Sequence, residues 1–338
     1  MRLTWDNLGE RLFRVGADRG VLYMKNGSEY GNGVAWNGLT GVEESYSGRE
    51  VTSFYTNDIR SYLLKTKPEL GGTIRCYTYP PEFELCLGGV EAFNGLVIYD
   101  QDESAFGVTY RKVIGNDTEG IDFAHEVHIY YGMSLTTNTS SASTISESID
   151  AEEFSFGFTS IPESFPGYYP VSHLKFTSNR LYDMQWERLE NTLYGTETED
   201  SYLPLPDDLI RYLEVVILNG SVVWDDNDDE DHLRPDRLLV TLYGEVGGVK
   251  SIVERKYVSA EDNWTFAFGP LFKYDGEEEI TFSVDGVTGE EIVSEADVNL
   301  ISEIESFKFV TEEFWPCRYD ETVDGFVLTE TRNDDPIE

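Results

Sequence analysis

The stretch "FGVTYRKVIGNDTEGIDFAHEVHIYYGMSL", Phe106–Leu135, sets the fold class. It reads as two strands around a Gly/Asn/Asp connection at Gly115–Gly120, a longer link than a two-residue hairpin turn. The neighbouring segments have the same texture. In "EEFSFGFTS" Phe154, Phe156 and Phe158 alternate with small residues, the period-2 signature of a half-buried strand. "GNGVAWNGLTGVEES", Gly31–Ser45, is turn chemistry around short apolar pieces. With 21 tyrosines and 19 phenylalanines, the composition also favours strands over helices. The expected fold is mainly β, a β-sandwich.

One helix stands out, "SNRLYDMQWERLENTLYG", expected over about 179–194 with Ser178 as N-cap and Gly195 as C-terminal cap. Leu181, Met184 or Gln185, Arg188 or Leu189, and Thr192 or Leu193 fall at helical spacing, so it should lie on a sheet. After it, "TETEDSYLPLPDDLIRYLE" carries Pro204 and Pro206 and reads as a linker. A second pattern then begins: "LEVVILNGSVVWDD", "RLLVTLYG", "KSIVERKYVS", "NWTFAFGPL", "EEITFSVDG" and "GFVLTET". Short strands with turns between them at this spacing predict a small all-β sandwich. The domains expected are 1–211 and 212–338, with an insertion at about 287–320, either a helix or an extra hairpin. A chain of 338 residues is long enough for two domains of roughly 100–200 residues each.

The formal charge is -39, and it is uneven. Residues 1–100 carry 13 acids against 10 bases, residues 101–210 carry 19 against 5, and residues 211–338 carry 32 against 10. Such a surface lacks the cations that phosphate contacts require, which excludes ordinary nucleic-acid binding. "MRLTWD" has no apolar run of secretory type, and no segment reaches the roughly 18 apolar residues of a membrane span. The expectation is a soluble chain, intracellular when made. Three cysteines, Cys76, Cys86 and Cys317, fit a reducing compartment, with a Cys76–Cys86 bridge left open.

The candidate chemistry is sparse. "DDNDDED", Asp225–Asp231, offers six carboxylates, but Glu230 stands where a calcium loop needs Gly, and Asp236 where it needs Glu. A solvated acidic turn is the plainer reading. In "HEVH" the two histidines are three apart on an alternating strand, so His125 and His128 point to opposite faces. His173 and His232 lie far off in sequence, and no metal ligand set is expected. "GLTGVEES" lacks the Lys and glycine spacing of a phosphate loop, and no nucleophile elbow is present. No catalytic or cofactor-binding residue is assigned, and the chain is not expected to be an enzyme.

Read in order, "LTWDNLGERLFRVGADRGVLY", "YGNGVAWNGLTGVEESYSG", "TYPPEFELC", "YRKVIGNDTEG", "HIYYG" and "LPLPDD" resemble the major tail protein of long-tailed bacteriophages. The likeness runs from Met1 to about Arg211. It implies a β-sandwich with one packed helix, hexameric rings stacked into the tail tube, and viral DNA passing through without specific binding. It also implies a virion protein assembled in the host cytoplasm, whose partners are other copies of itself and the tape measure, terminator and distal tail proteins. An acidic wall suits such a conduit, since it repels the polyanion it must let pass.

The second region, "VVWDDNDDEDHLRPDRLLVTLYG", "DNWTFAFGPLFKYDGEEEITFSV" and "DGFVLTET", resembles the B-repeat domain of Gram-positive collagen adhesins, an immunoglobulin-like fold. Trp224, Arg234–Asp236 and Asn263–Thr265 match its strand and loop pattern. Many members carry a Lys–Asn isopeptide bond assisted by an acid. At the matching positions this chain has Val222, Glu330 and Gly286, so no isopeptide bond is expected. The resemblance implies a domain decorating the tail exterior, with a weak host-surface contact left open. A surface adhesin or carbohydrate-binding module is the alternative, and the absence of an export signal or a wall anchor at "RNDDPIE" argues against its cell-anchored form.

Overall fold

A computed structural model of the chain describes residues 2–48, 51–56, 58–139, 151–225, 234–287, 319–324 and 327–332. The acidic run from 226 to 231, His232, Cys317 and most of the expected insertion lie outside the described residues. The chain divides into two compact units, Met1–Leu213 and Glu214–Glu338.

In the first unit the strands are β1 (Phe13–Asn26), β2 (Glu29–Trp36), β3 (Leu39–Ser47), β4 (Val51–Thr56), β5 (Ile59–Lys65) and β6 (Glu69–Cys76). They continue with β7 (Val90–Phe93), β8 (Leu96–Ile98), β9 (Phe106–Asn116), β10 (Gly120–Thr139), β11 (Phe154–Ser160) and β12 (His173–Thr177). The main antiparallel sheet runs β2-β1-β9-β10-β11-β6-β3, with β12 also paired to β10. Its centre is the β9–β10 hairpin, in register His125↔Val113 and Tyr130↔Val108. Trp36 from one end of this order and Leu70 and Ile74 from the other share one core, so the sheet is rolled with that face inward. Phe156 and Phe158 point into the same core.

Two glycines permit the close approaches that the roll demands. At Gly72 a Cβ would stand 2.0 Å from the Glu43 carbonyl oxygen and 2.8 Å from the Phe158 ring. Gly132 has φ +58, and its Cβ would meet the Ile161 carbonyl oxygen at 2.0 Å. The β9–β10 register shifts beside Gly132, so Tyr130 and Met133 both face the inner core while Tyr131 faces outward. This is the behaviour of a β-bulge at a residue that needs a left-handed backbone.

The outer face of the sheet is covered by helices. Helix α1 spans Asp183–Tyr194, shorter than expected, with Tyr182 at the N-cap and a separate 3-10 turn over Ser178–Arg180. Ser178 does not cap it: its Oγ accepts from the His125 backbone N–H at 2.9 Å and ties the turn to β10. Helix α2, Pro206–Leu213, corrects the linker reading. Pro206 opens it where a missing N–H costs nothing, and Leu209 and Leu213 fall at i and i+4 into a second core with Leu189, Leu193, Val127, Ile129 and Tyr131. Gln185 Nε2 donates to the Leu213 carbonyl oxygen at 2.5 Å and satisfies the end of α2. The first unit therefore ends after Leu213 rather than at residue 211.

The second unit contains β13 (Val215–Asp225), β14 (Arg237–Val246), β15 (Val249–Ser259), β16 (Thr265–Phe272), β17 (Tyr274–Asp275), β18 (Glu278–Glu279), β19 (Thr281–Val287), β20 (Tyr319–Asp324) and β21 (Val327–Arg332). One sheet is ordered β16-β13-β21-β20 and another β15-β14-β19. Val222, Phe266 and Phe268 from the first meet Leu238, Val240, Leu242, Val258 and Val284 from the second in one core. That is a β-sandwich, and the protein as a whole is mainly β. Trp224 packs on this core, edge to face with Trp264 at 4.8 Å.

Candidate functional site

The first functional feature is apolar surface that the first unit leaves uncovered. Among the described residues, strands β4 and β5 pair only with each other, Phe54 opposite Tyr62 and Thr52 opposite Leu64. Val51, Phe54, Tyr55, Ile59, Tyr62, Leu63 and Leu64 are all exposed, Ile59 at 70% and Tyr62 at 68%. An isolated two-stranded hairpin is marginal in water, and seven large apolar side chains make it more so. Residues 51–67, "VTSFYTNDIRSYLLKTK", carry one acid against three bases in a chain of net charge -39. The hairpin is a basic, apolar projection on an acidic protein. The β7–β8 hairpin, with exposed Val90, Phe93, Leu96 and Ile98, and the N-terminal Leu3, Trp5 and Leu8 add to the uncovered apolar surface.

The second feature is a polar ladder on the inward face of the rolled sheet. Along β10 this face passes from Met133 through Tyr130 and His128 to Glu126, from apolar to charged. Glu126 is 2% exposed. Arg14 Nε donates to its Oε2 at 2.9 Å and Lys175 Nζ lies 3.1 Å from its Oε1. Burial opposes ionisation, but hydrogen bonds and charge from Arg14 and Lys175 outweigh it and hold the carboxyl at about 2. The ring of His128 lies parallel to Tyr110, centroids 5.0 Å apart, and its Nδ1 shares a hydrogen bond of 3.0 Å with Nε2 of His173. Tyr130 Oη donates to Glu44 Oε1 at 2.5 Å, and burial pushes its hydroxyl far up, so it remains a donor.

Sequence separation hid this cluster. His125 and His128 do face opposite sides, with His125 beside Arg111 and Asp18. His173, however, returns to β10 because β12 pairs there in register Tyr130↔His173 and His128↔Lys175. Glu44 arrives from β3, at the far end of the strand order, because the sheet is rolled. Neither event leaves a local signal, since "VSHLKF" and "VEESY" are ordinary strand sequences.

The ladder gives a pH prediction for metal-free protein kept in chelator. Burial, then the charges of Lys112 and His173, lower His128 from 6.5 to about 4, against the smaller pull of Glu126 and Glu44. Burial lowers His173 as well. As pH falls below 6.5 the unfolded chain takes up the proton first, so the stabilisation is complete above that value and is lost towards pH 4. For His128 the drop corresponds to roughly 3 kcal/mol. Denaturant unfolding at pH 7 and pH 4.5 should show that loss, and His128→Asn should flatten it. Equal pH slopes for the two proteins would contradict the assignment.

In the second unit, the positions expected to matter for an isopeptide bond are on β13, β19 and β21. Val222 is buried, and the parallel β13–β21 register sets Leu328 opposite it, while Glu330 pairs with Trp224. Gly286 lies opposite Val240 in the other sheet. Cys76 and Cys86 are buried free thiols, raised by burial to about 11 and about 12.

Comparison with known proteins bears mainly on the second unit. Residues 218–304 match the model of the Cna protein B-type domain. A collagen adhesin of Staphylococcus aureus is 31% identical over 99 residues, 29% of this chain, which spans 7% of that relative's length. A single B repeat unit of the S. aureus collagen-binding surface protein matches at 23% identity over 36% of this chain and 48% of that one, TM-score 0.25. The sheath-tube complex of an extracellular contractile injection system matches at 14% identity over 47% of this chain and 88% of that one, TM-score 0.27.

Proposed function

We propose that this protein is a structural virion subunit whose first unit self-assembles into stacked, hexameric rings forming a phage tail tube. The observation that carries the reading is the β4–β5 hairpin: seven exposed large apolar side chains with no third strand among the described residues to cover them. The occupant is a second copy of this chain. The hairpin's excess of bases complements the acidic surface of its neighbour, and hairpin-on-subunit burial repeated around and along a ring closes a tube rather than a dimer. The ordered resemblance from Met1 to about Arg211 supports the same reading.

In this reading an acidic lumen lets DNA pass without adhesion. The tube's open ends require tape measure, terminator and distal tail proteins as partners, and assembly takes place in the host cytoplasm. The Cna B-type unit decorates the outside, and no catalytic step is involved. A second reading, a surface-binding module, is favoured only by the B-type match at 218–304.

Electron microscopy of the purified protein tests the proposal. Rings or tubes are expected, and persistently monodisperse monomers under assembly-promoting conditions would count strongly against it. Removing residues 214–338 should leave assembly intact; its loss would instead make the second unit part of the wall.

A further inference from the structure

The polar ladder ends in three side chains carried by three strands, Glu44 of β3, His128 of β10 and His173 of β12. Among the described residues, strand β3 shares no backbone ladder with β10 or β12. Among the described residues, these three bring one ligand atom each to within 4.8 Å of one another. We propose that Glu44, His128 and His173 form a binding site for one divalent transition-metal ion of the zinc class, which cross-links the edge strand β3 to the opposite wall of the rolled sheet.

The donor set suits such an ion. Two imidazole nitrogens and one carboxylate, with water in the fourth position, are a common tetrahedral zinc complement, whereas hard cations such as Mg²⁺ prefer oxygen donors. With metal–ligand bonds of about 2.0–2.1 Å, tetrahedral ligand atoms stand roughly 3.4 Å apart. Two of the three separations bracket that value, His128 Nδ1 standing 3.0 Å from His173 Nε2 and 3.8 Å from Glu44 Oε1; in the third pair it is His173 Nδ1 that lies 3.8 Å from Glu44 Oε2. Binding replaces the proton shared by the two imidazoles and draws ligand atoms that lie within 4.8 Å of one another to the tetrahedral spacing by side-chain shifts and a turn of the rings towards the ion.

The supporting shell is already in place. Tyr130 orients the Glu44 carboxylate by donating to Oε1. On its far side the His128 ring turns Nε2 towards Glu126 Oε2 at 3.5 Å, and that buried nitrogen has no hydrogen-bond partner among the described residues. When Nδ1 gives its lone pair to a metal, Nε2 carries the proton and faces this carboxylate, the carboxylate–histidine–metal arrangement of many zinc sites. Arg14 and Lys175 are engaged by Glu126, and the cations that oppose the site are Lys112, beside both histidines, and Lys175, beside His173. Side-chain exposure of 25% at Glu44 and 15% at His173, against 6% at His128, gives the ion an entrance from solvent.

The test uses the full chain after chelator treatment, titrated calorimetrically with ZnCl₂ and CoCl₂ and followed by thermal unfolding. One saturable ion per chain is expected, with a raised unfolding midpoint, a visible Co²⁺ band of tetrahedral type, and no response to MgCl₂. Because His128→Ala risks misfolding in the core, the deciding variants are Glu44→Gln and His173→Ala at the rim. Each should weaken binding by roughly tenfold or more and abolish the Co²⁺ band. Absence of saturable Zn²⁺ binding, or binding unchanged in both variants, overturns the proposal. Neither outcome depends on whether the protein forms tubes.

Discussion

Replacing Phe54, Tyr62 and Leu64 together by Ser abolishes self-association while leaving the monomer folded. The three side chains are exposed, and Phe54 and Tyr62 are direct cross-strand partners. Their removal takes nothing from either core of the first unit, because neither includes a residue of β4 or β5. Surface substitutions of this kind change folding stability by about 0.5 kcal/mol or less each. Assembly is affected far more. Burying a large apolar side chain is worth roughly 1.5–3 kcal/mol, so losing three costs at least about 4 kcal/mol per contact. That raises the concentration needed for polymerisation by roughly a thousandfold. Sedimentation and electron microscopy across a concentration series read this directly. A triple variant that forms rings or tubes at the wild-type concentration would remove the hairpin from the interface and, with it, the main support for the tube reading.

The second large effect belongs to the core. Phe83→Ala is expected to destabilise the first unit by about 3–5 kcal/mol. Phe83 sits in the 3-10 turn Pro81–Leu87 and is fully buried in the inner core of the rolled sheet. Its ring meets Trp36 at 4.7 Å, Phe156 at 5.0 Å, Phe106 at 5.3 Å and Tyr79 at 5.7 Å, so four aromatic neighbours lose a partner at once. Because these neighbours come from four different segments, the void cannot close by a shift of one element. Against a typical total of 5–15 kcal/mol, this is a large share. Denaturant unfolding monitored by tryptophan fluorescence measures it. A loss below about 1 kcal/mol would mean that the turn is not part of the cooperative core.

Much of the architecture was legible in the residues. The period-2 run of Phe154, Phe156 and Phe158, the strand pair in Phe106–Leu135 and the short strands beyond Glu214 are local patterns, and the structure forms strands at each. Helix α1 was visible for the same reason, although its start was misplaced because Ser178 spends its hydroxyl on β10 rather than on a cap. Helix α2 was missed because Pro204 and Pro206 read as breakers, while Leu209 and Leu213 declare themselves only once a sheet face is there to receive them.

The sequence by itself determined the strand content, the two-unit organisation and the acidic character, since each depends on composition or on spacing within a few residues. Tertiary structure alone decided which surfaces were covered and which polar groups met. Whether Phe54 or Tyr62 is buried depends on a third strand that the described residues do not supply. The meeting of Glu44, His128 and His173 depends on a rolled sheet and on the β10–β12 register. A one-residue slip of that register would turn His173 to the opposite face, and no feature near His173 in the chain records which register the folded sheet adopts.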